Sequence, residues 1–176
     1  MGWHHPTLVP GRVISSVIDT LIRQAPCPVV VVRPGRNLRF NRWLLPTAGG
    51  PNAQIAQDLL PGLITLGSRP IVKLCTVCHP EKGECLTPHH LTALATNLEA
   101  TLQQSVKTQV LTHSSVSEGI IQLAQQEHSD VILLGTSREN LLSQVIKGSV
   151  PMEVARQTDM TVILLRQMEE SPSRSD

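Results

Sequence analysis

The apolar positions of this chain alternate between two patterns along most of its length. Apolar residues that recur at spacings of three and four predict helices, and short aliphatic runs bounded by turn residues predict buried strands. The predicted helices cover residues 52–67, 88–104, 115–128 and 149–157, and the predicted strands cover residues 42–46, 71–77, 106–112, 130–134 and 161–166. Pro61 predicts a kink in the first helix, and Ser115 with Glu118 forms a capping-box pattern at the start of the third.

This order of elements indicates an α/β fold. Alternating strands and helices require right-handed crossovers, and therefore a parallel sheet with helices on both faces. We expect a five-stranded parallel sheet in a three-layer α/β/α sandwich over residues 40–166, extended by a helix over 11–24 and a strand over 28–33. Ligands of such sheets bind beyond the carboxyl ends of the strands, where the strand order reverses. The loops 46–51 and 135–149 should meet at that point.

The N-terminal segment repeats part of the later sequence. An offset of 133 places Gly2 on Gly135 and Arg33 on Arg166, with a helix pattern and an aliphatic strand between them. We interpret residues 1–35 as the last helix and strand of a truncated preceding unit. The alternative is an unrelated N-terminal helix and strand. Residues 40–166 then form a complete unit, and the polar residues 167–176 form a disordered tail.

The amino-acid composition limits the classes of protein to which this chain can belong. The 176 residues suffice for one domain with an appendage. Aromatic residues make up only 2% of the chain, so the core must be aliphatic. The net charge of +1 gives no basic excess for nucleic acid. No apolar run reaches the length of a membrane span and no secretory signal is visible, so we expect a soluble cytoplasmic protein in a reducing environment that does not insert into membranes.

One segment has the form of a phosphate-binding turn. Gly135-Thr136-Ser137-Arg138 follows a predicted buried strand, and Gly148-Ser149 precedes the helix that opens at Val150. Backbone N–H groups and the positive end of a helix dipole face an anion in this arrangement. Ser149 would serve as a helix cap or as a phosphate ligand.

These residues resemble the universal stress protein family. Its nucleotide-binding members carry G-x2-G-x9-G-[S/T] after the fourth strand and an acidic residue followed by Gly-Ser after the first. The resemblance implies the adenine nucleotide alpha hydrolase-like fold and a site for ATP, ADP or AMP, with no metal beyond nucleotide-bound magnesium. The implied nucleotide-binding residues are Thr47, Ala48, Gly49, Gly135, Thr136, Arg138, Gly148, Ser149 and Val150.

The chain departs from the family pattern at two positions. Arg138 stands where the family has its second glycine, and no acid lies near Ala48. Loss of a carboxylate that accepts hydrogen bonds weakens recognition of the adenosine part by about 1–3 kcal/mol. A guanidinium that binds phosphate would offset this loss. The site is therefore either degenerate but functional or vestigial.

The loop over residues 46–53 looks like the version found in universal stress domains fused behind membrane transporters. This resemblance implies a cytosolic regulatory or interaction module in a transporter tail. The alternatives are a free-standing ATP-binding stress-response protein and a purely structural dimerisation domain. In relatives the last strands pair antiparallel across a two-fold axis, so residues 28–33 should pair with 161–166, within the chain or across a homodimer. The apolar helix over 11–24 also favours self-association.

Other candidate chemistry is weaker. Cys75, Cys78 and His79 have the spacing of a covalent haem site, and Cys75, Cys78, Cys85 and His89 or His90 have ligand types suited to zinc. Strand alternation places Cys75 and Cys78 on opposite faces, so we expect no metal and interpret the cysteines as buried or loop thiols. His113 is a candidate ligand contact or a solvated loop residue. No catalytic triad order or Walker motif is present, and we expect no catalytic residues and no enzyme.

Overall fold

The strands and helices follow the predicted order. The computed structural model describes residue 25 and residues 27–81, 85–136 and 149–166. The strands are β1 (Val29–Arg33), β2 (Arg42–Pro46), β3 (Ile71–Cys78), β4 (Val106–Thr112), β5 (Val131–Gly135) and β6 (Thr161–Arg166). The helices are α1 (Pro51–Leu63), which continues as a 3-10 turn (Ile64–Leu66), α2 (Pro88–Leu102), α3 (Val116–Gln126) and α4 (Val150–Gln157). The predicted helix over 11–24, residues 137–148 of the 135–149 loop and the tail 167–176 lie outside the described residues.

All six strands form one sheet in the order β1-β6-β5-β2-β3-β4. The strands β2 to β6 are mutually parallel, as predicted, and β1 is antiparallel to β6. The pairing of β1 with β6 occurs within the chain and is centred on Val31 opposite Leu164. The strand order reverses at β2, which lies between β5 and β3. The predicted α/β fold is confirmed.

Two aliphatic layers cover the sheet. On one face, α1 and α2 pack against Trp43 and contribute Ile55, Leu60, Leu91 and Leu98. On the other face, α3 and α4 pack against Leu44 and Leu164 and contribute Ile120, Leu123, Met152 and Val154. Such continuous burial explains why the central strands are aliphatic runs with no polar alternation. The low aromatic content of the sequence therefore reflects a core of branched side chains.

The end of α2 and the cap of α3 differ from the sequence prediction in ways that the structure explains. The residue Gln103 has a positive φ of 53°, which ends α2 before residue 104. At the start of α3, the Glu118 backbone N–H donates to Ser115 Oγ over 3.3 Å, so the first half of the predicted capping box forms. The second half does not form, because the Ser115 N–H donates to His113 Nδ1 over 3.0 Å. The helix start is therefore tied to the loop that follows β4.

Candidate functional site

A cleft of about 280 Å³ opens where the strand order reverses, at the carboxyl ends of β2 and β5. This is the position that the alternation of elements predicted. The residues that line it are Pro46, Thr47, Ala48, Gly49, Val77, Val116, Ile120, Leu134, Gly135, Val150 and Pro151. Five of the predicted site residues belong to this lining: Thr47, Ala48, Gly49, Gly135 and Val150.

The turn after β2 forms one wall. The Thr47 N–H donates to the Cys75 carbonyl over 2.8 Å, and Thr47 Oγ1 accepts from the Gly49 N–H over 3.1 Å. Gly49 and Gly50 both have positive φ, 80° and 82°, a conformation that side chains with a Cβ rarely adopt. A Cβ at Gly49 would also lie 2.7 Å from Cδ1 of Leu86. This tight turn leads directly into α1, whose first turn carries no side-chain cap.

The opposite wall comes from the end of β5 and the start of α4. Thr136 is buried and its N–H donates to the Leu165 carbonyl over 2.8 Å. Ser149 is the N-cap residue of α4, and its carbonyl accepts from the Glu153 N–H over 3.0 Å. The Ser149 side chain is buried and forms no cap hydrogen bond to the helix. The predicted site residues Arg138 and Gly148 lie outside the described residues.

Sequence reasoning missed the contribution of β3 and α3. Val77 at the end of β3 and Val116 and Ile120 in the first turns of α3 supply the apolar floor. The sequence could have indicated Val116 and Ile120, because they are four residues apart at the start of a helix that follows the carboxyl end of a strand. Gly119 permits this close packing, since a Cβ there would lie 2.9 Å from Val77 Cγ1. His113 is half-buried beside α3 and is not part of the lining.

The cleft has apolar walls with polar backbone groups. No lining residue in the described part of the chain carries a titratable side chain. Behind the lining, a hydrogen bond of 2.6 Å from Ser117 Oγ to Glu153 Oε2 joins α3 to α4. Ser117 is only 3% exposed, so this link is shielded from water. It fixes the spacing of the two helices that supply Val116 and Val150 to the cleft.

The candidate metal-ligating cysteines differ in their chemical state. Cys78 and Cys85 form a disulfide with a Cα–Cα distance of 5.2 Å, which corrects the interpretation of both as thiols. Burial raises the pKa of the Cys75 thiol to about 12, against the opposing effect of Lys73, so Cys75 stays protonated. Thiolates are the form that binds zinc or attacks haem. Among the described residues, no group of three or more metal-ligating side chains occurs.

The fold is similar to those of several solved structures. A search of curated proteins finds no significant match. The hypothetical protein MJ0577 is 23% identical with a TM-score of 0.56, over 76% of this chain and 100% of that one. A universal stress protein from Archaeoglobus fulgidus DSM 4304 is 14% identical with a TM-score of 0.66, over 88% of this chain and 55% of its own.

A universal stress protein in complex with cAMP is 14% identical, with a TM-score of 0.56, over 73% of this chain and 98% of its own. In the described part of the chain, no helix has the length and apolar character to cross a membrane. The model of the universal stress protein family matches residues 1–33 and 80–166, which is more than half of the sequence. The chain therefore belongs to the universal stress protein family.

Proposed function

We propose that this chain is a regulatory module that binds an adenine nucleotide with low affinity in the cleft between β2 and β5. The observation that carries this proposal is the convergence of two glycine-containing turns at the point where the strand order reverses. The N–H groups of Thr47, Gly49 and Thr136 bond within the protein and hold these turns in place. The helix α4 opens beside the turns with its positive dipole end.

The apolar floor suits a purine base. Val77, Val116 and Ile120 offer flat aliphatic contact, and the Thr47 side chain and nearby backbone groups offer hydrogen bonds to a ribose. The cleft volume of about 280 Å³ lies just below the range of about 300–1,000 Å³ that is usual for ligand pockets. A small mononucleotide therefore suits it best. A structural neighbour in the same family, the complex with cAMP, supports this ligand class.

We propose low affinity because none of the described residues that line the cleft carries a carboxylate. Ala48 is exposed at the lip and cannot accept a hydrogen bond through its side chain. An adenosine hydroxyl or amine that loses such an acceptor loses about 1–3 kcal/mol of binding free energy. We propose that Arg138 offsets part of this loss by binding phosphate, because a guanidinium forms paired hydrogen bonds with phosphate oxygens.

We propose a regulatory role and not a catalytic one. General acid or base catalysis requires a titratable group within hydrogen-bond reach of the reacting atoms. The described lining of the cleft offers none. Binding that changes the conformation or the association of the module is the function that such a cleft supports.

We further propose that the module acts in the cytoplasm, on the cytosolic face of a membrane as part of a transporter tail, and that it self-associates. The transporter context is supported by the form of the loop 46–53. Self-association is supported by the apolar pattern of residues 11–24, which lie outside the described residues. The alternatives are a free-standing ATP-binding stress protein, which would bind ATP tightly, and a structural dimerisation domain, which would bind no nucleotide.

A thermal shift scan with ATP, ADP, AMP and cAMP tests the proposal. Because ligand stabilisation grows with ligand excess over the dissociation constant, weak binding should raise Tm only at millimolar nucleotide. The variant Val150→Glu places a carboxylate in the cleft at a helix start that tolerates acids, so it should abolish the shift without unfolding the protein. Val110→Glu is the matched control, since Val110 is 41% exposed on β4 and outside the cleft. No shift at millimolar nucleotide would reject the proposal.

A further inference from the structure

A second cavity, of about 170 Å³, lies at the opposite end of the sheet from the cleft. It is formed at the amino ends of β2, β3 and β4 and behind the end of α3. Its charged and hydroxyl side chains come from Arg42, Lys73, Lys107, Glu127 and Ser129. We call this the basic pocket.

The basic pocket has an excess of positive charge. Three cations, Arg42, Lys73 and Lys107, share it with a single carboxylate, that of Glu127, which leaves a net charge of +2. Lys73 forms an ion pair within the protein, because its Nζ lies 2.6 Å from Glu127 Oε1. The Lys107 side chain forms no hydrogen bond or ion pair with any other described residue. One cation is thus fully available to a ligand.

Arg42 retains donors as well. Its Nη1 donates to the Glu127 carbonyl over 3.2 Å, and its remaining guanidinium N–H groups have no partner among the described residues. The nearby carboxylate of Asp130 does not line the pocket, and its Oδ2 accepts from the backbone N–H groups of Asn41 and Arg42 at 3.0 Å each. Asp130 therefore competes little for the guanidinium.

The electrostatics of Glu127 show that the cations converge. Its pKa is lowered chiefly by the hydrogen bond from Lys73; burial opposes this and raises the pKa, and the charges of Lys73, Lys107 and Arg42 lower it further. A single carboxylate next to three cations does not neutralise them. The pocket therefore retains an attractive field for a second anion.

The pocket also contains a hydroxyl. Ser129 lines the cavity, and its Oγ forms no hydrogen bond to another residue in the described part of the chain. This Oγ is reached by solvent and is not fully buried, so it can donate to the oxygen of a ligand that enters the pocket.

We propose that the basic pocket binds a phosphate group, either inorganic phosphate or the phosphate of a small phosphorylated metabolite. A phosphate dianion matches the net charge of +2, and its oxygens accept from the Lys107 ammonium, the Arg42 guanidinium and the Ser129 hydroxyl. The volume of about 170 Å³ is smaller than that of the cleft and is sufficient for a phosphate group. This site is independent of the nucleotide cleft.

Amide chemical shifts test the proposal on the intact chain. The 15N-labelled protein is titrated at constant ionic strength with inorganic phosphate, with glycerol phosphate and with chloride. We expect saturable shifts at Lys107 and Ser129 with the first two anions and none with chloride. Tighter binding of glycerol phosphate than of inorganic phosphate would identify the ester as the source, and the reverse order would identify the free ion. Shifts confined to Gly135 and Thr136 would place phosphate in the nucleotide cleft and overturn the proposal.

Two substitutions in the basic pocket should change the affinity for phosphate in opposite directions. Lys107→Gln should weaken phosphate binding about three- to fivefold, the change expected for one partly exposed charge pair. Glu127→Gln should strengthen binding, because it removes the competing carboxylate and frees Lys73. The matched control is Arg39→Gln, which removes an exposed cation that does not line the pocket. Equal weakening by Arg39→Gln and Lys107→Gln, or weakening by Glu127→Gln, would overturn the proposal.

Discussion

Arg33 and Arg166 form equivalent hydrogen bonds on opposite sides of the β1–β6 pair. Arg33 Nη2 donates to the Thr158 carbonyl, and Arg166 Nη2 donates to the Ala25 carbonyl over 3.2 Å. The two arginines are 133 positions apart, and so are Ala25 and Thr158. The sequence repeat is therefore matched by a local two-fold arrangement of donors and acceptors. This relation supports the prediction that residues 1–35 derive from a second unit of the same kind.

The two arginines should nevertheless contribute unequally to stability. Arg166 is 4% exposed and also donates to the Cys27 carbonyl over 3.3 Å, whereas Arg33 is half-buried. Arg166→Ala should lower the free energy of unfolding by about 2–3 kcal/mol and Arg33→Ala by about 1 kcal/mol, because unmet hydrogen bonds cost more when buried. Urea denaturation measures both. An equal or larger loss for Arg33→Ala would contradict this ranking.

The disulfide between Cys78 and Cys85 should stabilise the fold. The bonded residues are seven positions apart, and a loop of that length restricts the unfolded chain by about 2–3 kcal/mol. The variant Cys85→Ser should therefore unfold at lower urea concentration, and a reductant should shift the parent protein but not the variant. Cys27→Ser is the control, since Cys27 is a free and exposed cysteine. A parent protein insensitive to reductant would show that the loop does not need the bond.

A carboxylate restored at the lip of the cleft should increase nucleotide affinity. Ala48→Asp supplies an acceptor at an exposed lining position without steric cost. The gain should be about 1–3 kcal/mol for adenosine nucleotides, the value of a hydrogen bond to a charged group. Isothermal titration calorimetry with AMP measures the gain, and Ala48→Asn separates the hydrogen bond from the charge. Unchanged affinity in Ala48→Asp would place the adenosine elsewhere.

The link between α3 and α4 should support both stability and the cleft. Ser117→Ala removes the donor to Glu153 and leaves a partly buried carboxylate without it, at a cost of about 1–3 kcal/mol. Ser115→Ala removes the helix cap and the 3.1 Å hydrogen bond between Ser115 Oγ and Ser117 Oγ but leaves the link to Glu153 in place, so it should cost about 1 kcal/mol. Unfolding in urea compares them. The same Ser117 variant should weaken nucleotide binding, and Ser115→Ala should not.

The Lys73–Glu127 pair should contribute a pH-dependent part of stability. The folded pKa of Glu127 lies below its ordinary value of 4.5, chiefly because Lys73 donates a hydrogen bond to it. A lowered carboxyl pKa stabilises the fold above the unfolded pKa, and this contribution is lost as the pH falls through the folded pKa. The difference in unfolding free energy between the parent and Glu127→Gln should therefore shrink from neutral pH to below 4.5. A difference that stays constant over this range would contradict the pairing.

Local patterns predicted most of the fold because the core is aliphatic and the central strands β2, β5 and β6 are buried on both faces. The strands β2, β4 and β6 have the predicted boundaries, and each helix end differs by only a few residues. The end of α2 at Gln103 was missed since glutamine rarely adopts a positive φ, and no glycine marks the position. Residue patterns could not choose between pairing of β1 within the chain and pairing across a dimer, since both use the same edge of β6.

The sequence predicted where the candidate site lies but only some of the residues that line it. Turn chemistry identified the two walls around Gly49 and Gly135, because a glycine directly after a buried strand favours a tight turn. Val77 on the floor carries the same apolar pattern as the core, so no local signal separates it from core residues. The disulfide was also missed, because Cys78 and Cys85 become neighbours only when the loop before α2 folds against the end of β3.

The position of β1 affects the protein concentration at which a second molecule could pair with β6. The edge of β6 that a second molecule would pair with is already occupied by a strand tethered to the same chain. The effective concentration of a tethered segment is on the order of millimolar. A second copy would have to reach a comparable concentration to displace it, so assembly through β6 would depend on events that first release β1.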